Sequence, residues 1–202
     1  MDQSDLDSPQ NDPRAQRVVN SIDEFVDTFQ RRVPSEHASD VLNDEAVLDG
    51  VTIGQAPERF IEENLVRRLA DDLGYAYRPQ PQGISGLERL IPDFTVLNTE
   101  MTVIGELKKP NKIKEGRTES VDYINKTTER PAIGIATDGF TWVKFRIDSE
   151  NNLTLQKHSS LRSVVRDLVR DRSSNKSSKK SRSKLRKECY GFVDSFAIEA
   201  LL

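Results

Sequence analysis

At 202 residues, 35% of them apolar and 31% charged, the chain has room for one core of ordinary domain size, which excludes a multi-domain machine. A single cysteine (Cys189) and two histidines (His37 and His158) exclude an internal disulfide and a zinc ligand set. The formal net charge of -3 hides an asymmetry: residues 1–50 hold 12 acids against 4 arginines, whereas residues 172–187 hold 8 basic residues and no acid, a distribution compatible with a nucleic-acid partner.

No apolar run approaches the roughly 18 residues of a membrane span, and the first residues lack the basic-then-apolar pattern of a secretory signal. The expectation is a soluble, cytoplasmic protein with no membrane contact. Polar, acidic residues 1–13 are expected to be disordered. Residues 14–33 place Val18, Ile22, Phe25 and Phe29 at helical spacing, with Val19, Val26 and Val33 alongside, and so predict an amphipathic helix. That helix either packs on its own domain or binds a partner. It opens a helical arm over 14–56 that weakens after Pro34 into a connection with short turns.

The next helix is bounded by Pro57 and Gly74, with Ile61, Leu65, Leu69 and Leu73 along one stripe and Glu62 on its edge. A strand is expected over Tyr75–Arg78, then a QPQG loop. Residues 91–110, IPDFTVLNTEMTVIGELKKP, read as two short apolar strands, yet Asp93, Glu106 and Lys108 lie inside them. With a two-residue turn at Thr99–Glu100, Asp93 faces Glu106 across the strands, and Lys108, two residues on, points to the same face. A one-residue slip would put the acids on opposite faces. Like charges opposed on a sheet repel, more so when shielded from water, and a divalent cation between them is the simplest remedy. Oxygen donors without histidine or thiolate suit Mg²⁺ or Mn²⁺.

Downstream, Thr118 is expected to cap a helix running to about Arg130. A buried strand over 132–136 follows after a crossover, Asp138-Gly139 turns into FTWVKFRI, and NNLTLQK supplies an outer strand. Trp142 reads as core packing. The fold class expected is α/β: a central mixed β-sheet flanked by helices over residues 57–171. A flexible basic Ser-rich linker over 172–187 and an apolar helix over 188–202 complete the chain. That last helix, with Tyr190, Phe192, Val193, Phe196, Ala197 and Leu201 on one face, must return to the core, complete a homodimer or bind another protein.

The order Glu62, Pro92-Asp93, Glu106-Leu107-Lys108 resembles the PD-(D/E)xK nuclease superfamily. FIEENLVRRLADDLGY, VIGELKKP and PAIGIATDGFTWVKF together resemble the N-terminal nuclease domain of type I restriction enzyme motor subunits, over about residues 57–147. The resemblance implies a restriction-endonuclease-like core and Mg²⁺- or Mn²⁺-dependent hydrolysis of DNA phosphodiesters. Asp93, Glu106 and the backbone carbonyl of Leu107 would then hold the metal, and Lys108 would orient or deprotonate the attacking water. Glu62, with Glu63 as its substitute, would hold a second metal or a metal-bound water. Related nucleases carry Gln-x-x-x-Tyr on the following helix; here Glu119 and Tyr123 take that spacing, and a glutamate cannot donate the amide hydrogen bonds.

The run Lys108, Lys109, Lys112, Lys114 and Arg117 reads either as a solvated loop or as a grip on phosphates, with Tyr123 beside it as a further DNA contact. No phosphate-binding loop of the G-x-x-x-x-G-K-[ST] type occurs, so no nucleotide cofactor is expected and the motor of type I enzymes is missing. The competing reading is a non-catalytic nucleic-acid-binding or assembly module on the same fold.

Overall fold

The computed structural model describes residues 12–174 and 179–202. Helix α1 (Pro13–Arg32) begins on a complete start signal. Asp12 Oδ1 accepts hydrogen bonds from the backbone N–H groups of Arg14 and Ala15, and Pro13 occupies the first helical position, where its missing N–H is not needed. Of the segment expected to be disordered, residues 1–11 lie outside the described residues, while Asp12 and Pro13 belong to this cap. The apolar stripe of α1 is fully buried, and the helix packs on α5, α7 and α8. The N-terminal region is therefore part of the core and not an arm, because a face carrying Val18, Ile22, Phe25 and Phe29 is too apolar to stand free. The expected connection after Pro34 holds helix α2 (Ser35–Leu42), which buries Ala38, Val41 and Leu42, and the single turn α3 (Gly50–Ile53).

The helix expected from Pro57 to Gly74 is present as three joined pieces: α4 (Pro57–Ile61), a π-helical turn (Glu62–Val66) and α5 (Arg67–Leu73). Gly74 ends it with φ 85°, the left-handed conformation that glycine adopts without steric penalty. Six strands form one mixed sheet in sequence order: β1 (Tyr77–Pro79), β2 (Phe94–Val96), β3 (Thr102–Leu107), β4 (Ala132–Thr137), β5 (Thr141–Ile147) and β6 (Leu153–Ser160). All neighbours are antiparallel except β3 and β4, which run parallel and so require a crossover; helix α6 (Ile113–Lys126) supplies it.

Helix α6 starts five residues before Thr118. That threonine lies inside the helix with its hydroxyl donating to the Lys114 carbonyl. Lys114 and Arg117 are accordingly helical and not part of a loop, and the Lys112–Glu115 pair at i,i+3 supports the first turn. Strand side chains divide between two layers. Val103, Leu107, Ile133, Ile135 and Trp142 join the large core beneath α1, α5, α7 and α8, while Ala136, Val143 and Phe145 pack under α6.

The C-terminal region departs most from expectation. Helix α7 (Arg162–Ser174) and helix α8 (Lys179–Phe196) extend into the segment expected to be a flexible linker, of which residues 175–178 lie outside the described residues. Two interactions explain the order. Arg172 bonds Asp23 and Asp27 of α1, and Leu185 starts the stripe that Cys189, Phe192, Val193 and Phe196 continue. Phe192 and Phe196 meet Trp142 edge-on, with centroids 5.4 and 5.9 Å away. Lys144 of β5 donates to the carbonyls of Ser195 (2.9 Å) and Ala200 (2.7 Å), fixing the chain end. The apolar faces of both terminal helices are thus covered from within the chain. Among the described residues no helix is long and apolar enough to cross a membrane.

Candidate active site

Phe94 pairs with Gly105, the register that sets Asp93 opposite Glu106. A wider connection than the expected two-residue turn achieves this: Val96 ends β2 and Thr102 begins β3, with the Thr99 hydroxyl against the Val96 and Met101 carbonyls and the Asn98 side chain bonded to Ala76 N–H and Gly74 C=O. Glycine is required at position 105, since a Cβ there would sit 2.2 Å from Cζ of Phe94. The Phe94 ring, stacked on Tyr77 at 5.1 Å, lies across that gap and anchors the residue that follows Asp93.

Asp93 and Glu106 meet on the α6 side of the sheet. Asp93 Oδ2 accepts a hydrogen bond from Leu107 N–H at 2.8 Å. Glu106 is 3% exposed; its Oε1 accepts from the Lys108 ammonium at 2.6 Å, and its Oε2 is buried without a hydrogen-bond partner. An unsatisfied buried carboxylate oxygen costs about 1–3 kcal/mol or more, so this atom is the local anomaly of the fold. Burial raises the Asp93 carboxyl above its ordinary value against the opposing pull of Leu107 N–H and Lys108. Burial pushes Glu106 up to about 8, opposed by the Lys108 hydrogen bond and reinforced by the charge of Asp93.

Lys108 also donates to Glu119 Oε2, on α6, at 2.7 Å. Burial alone would lower the ammonium, but its bonds to Glu106 and Glu119 outweigh that and hold it above its ordinary value. Partial burial works to raise Glu119, yet the Lys108 hydrogen bond holds it below the usual carboxylate range. Tyr123 lies one turn further along α6; burial, then the charges of Glu106, Glu119 and Asp93, push its phenol up. Glu119 was a departure from a sequence pattern; in the fold it is a member of the charged cluster. The i,i+4 spacing of Glu119 and Tyr123 was its one sequence signal, and nothing local pointed to Lys108 as its partner.

Glu62 is placed differently from Asp93 and Glu106. Its helix packs on the opposite face of the sheet, and its Oε1 accepts from Tyr77 OH and Arg67 at 3.0 Å each. Its charge reaches Asp93, and its Oε1 is held by Tyr77 and Arg67. Glu63 points away, bonded to Arg59 at 2.8 Å. Among the described residues no group of three or more His, Cys, Asp or Glu side chains is arranged to hold a metal ion. A cation between Asp93 and Glu106 would complete its shell with oxygens such as the Leu107 carbonyl, water and substrate. The donor set fits such an ion: two hard carboxylates, one with a vacant buried oxygen.

The basic residues divide around α6. Lys109 and Lys112 lie in the loop after β3, Lys112 paired with Glu115 at 2.6 Å, whereas Lys114 and Arg117 line an open groove with Thr118, Val121 and Phe145 on the other flank of α6. Comparison with protein-family models, curated proteins and solved structures returned no match.

Proposed function

We propose that this chain is a metal-dependent nuclease with a restriction-endonuclease-like core, hydrolysing DNA phosphodiesters. The observation that carries the reading is Glu106: a buried carboxylate beside a second one, with one oxygen bonded to lysine and the other unsatisfied. A scaffold gains nothing from such a pair, whereas a cation site requires it.

The chemistry supplied by Mg²⁺ or Mn²⁺ in such a site is activation of a water and neutralisation of phosphate charge. The protein's share is positional. Asp93, fixed by Leu107 N–H, and Glu106 present oxygens from adjacent strands. Lys108, with a carboxylate on either side, acts as a charged hydrogen-bond donor that orients the attacking water and offsets charge developing on the phosphate. Of its two expected roles, the geometry favours orienting over deprotonation. In this reading Lys114 and Arg117, both exposed on α6, would contact the backbone of a bound strand.

One observation favours the binding-module reading: Glu119 stands where related nucleases carry a glutamine, and it cannot donate that residue's amide hydrogen bonds. Supercoiled plasmid incubated with the protein and Mg²⁺ or Mn²⁺ decides between them. Nicking by the wild type that is lost in Asp93→Asn and Lys108→Met supports the nuclease; DNA retention without nicking by any form leaves the binding module.

A further inference from the structure

We infer that Glu119 is a positioning residue for Lys108, drawing its ammonium toward the rim of the site so that Glu106 and Asp93 stay available to a divalent cation. The inference rests on the metal-site reading above and assigns a role to a residue outside the hairpin.

The Lys108 ammonium is shared almost equally, 2.6 Å from Glu106 Oε1 and 2.7 Å from Glu119 Oε2. The two carboxylates differ in depth: the Glu106 side chain is 4% exposed and that of Glu119 45%. Glu119 therefore holds the ammonium from the solvent side. Helix α6 also provides the room, because a Cβ at Gly116, one turn before Glu119, would lie 3.2 Å from the Lys108 Cγ. The stem of Lys108 passes over Gly116 and its head meets Glu119.

Without the Glu119 acceptor, the carboxylates left to Lys108 are Glu106, already bonded to it, and Asp93, whose charge already feels it. An ammonium settling on that pair would occupy the position a cation needs. With all three carboxylates ionised around a bound cation, the charges of Asp93, Glu106 and Glu119 exceed that of the Lys108 ammonium by two, which matches one divalent cation.

The test is a double-mutant cycle read by calorimetric titration of Mn²⁺ into metal-free wild type, Glu119→Gln, Lys108→Met and the double variant. Glu119→Gln is expected to weaken Mn²⁺ binding about tenfold or more, the size of one hydrogen bond to a charged group. With Met at 108 the same substitution changes affinity less than about twofold, the scatter of independent sites. Equal losses in both backgrounds would overturn the inference, since Glu119 would then act on the cation directly; so would no loss in the wild-type background.

A second measurement needs no metal. The Lys108 ammonium ¹⁵N resonance, identified by its loss in Lys108→Met, is expected in the wild type, where two carboxylates slow proton exchange, and is expected to vanish in Glu119→Gln. Its persistence there would also overturn the inference. A wild type that binds no Mn²⁺ would overturn the functional reading and the cation half of this one, leaving the resonance to decide whether Glu119 holds Lys108.

Discussion

Replacing Glu106 with glutamine should stabilise the metal-free protein at pH 8 and leave it nearly unchanged at pH 4. Glu106 is 3% exposed, and burial beside Asp93 pushes its carboxyl from the usual 4.5 up to about 8. A carboxyl raised in the folded state contributes stability that is complete below its unfolded value and is lost as pH climbs through the folded one. At 1.36 kcal/mol per pKa unit, the loss reaches about 3 kcal/mol by pH 7, with a further increment by pH 8. Part of it belongs jointly to Asp93 and Lys108, so a gain of about 2–4 kcal/mol is expected for Glu106→Gln at pH 8. The amide keeps an acceptor for Lys108 and offers Asp93 a donor, so the substitution leaves no new orphan. Urea unfolding with chelator at pH 4, 6 and 8 measures it; the wild type should lose stability over that range relative to the variant. A variant no more stable than the wild type at pH 8 would show that Lys108 satisfies an ionised Glu106, and the frustrated pair would not exist.

Gly105→Ala should cost about 2–4 kcal/mol in thermal unfolding and weaken Mn²⁺ binding, because the new Cβ must displace the Phe94 ring that anchors Asp93. Arg162→Ala should cost about 3–5 kcal/mol in urea unfolding, since it strips the 3.1 Å ion pair from fully buried Asp138. Asp138→Asn combined with Arg162→Ala should recover part of that loss. Cys189, buried and with its thiol pushed up to about 12, should react with an aromatic disulfide reagent only after denaturation; rapid reaction in the folded protein would contradict the docking of α8.

The hairpin register was legible in the sequence because a side-chain period of two ties every residue to a face. Phe94 over Gly105 meets the expected pairing although the turn is wider, since the Asn98 and Thr99 side chains, not a two-residue loop, set its geometry. The stripe Ile61, Leu65, Leu69 and Leu73 was equally readable, all four being fully buried. What sequence did not reveal depends on distant partners. The basic run 172–187 carries a linker's composition, yet Arg172 is held by acids 145 and 149 residues away, and one leucine, Leu185, begins the buried stripe of α8. Glu62 shows the same limit: its position on the helix edge was visible, but the opposite sheet face and Tyr77 determine where its carboxylate goes. Glu119 joins the site only because Gly116 lets α6 lie against Lys108.

The most direct test of the account is calorimetric titration of Mn²⁺ into the metal-free wild type and Asp93→Asn at pH 7.5. A single saturable site in the wild type that is abolished in the variant is the predicted result. No binding by the wild type, or undiminished binding by the variant, would contradict the claim that Asp93 and the vacant oxygen of Glu106 together form a cation site.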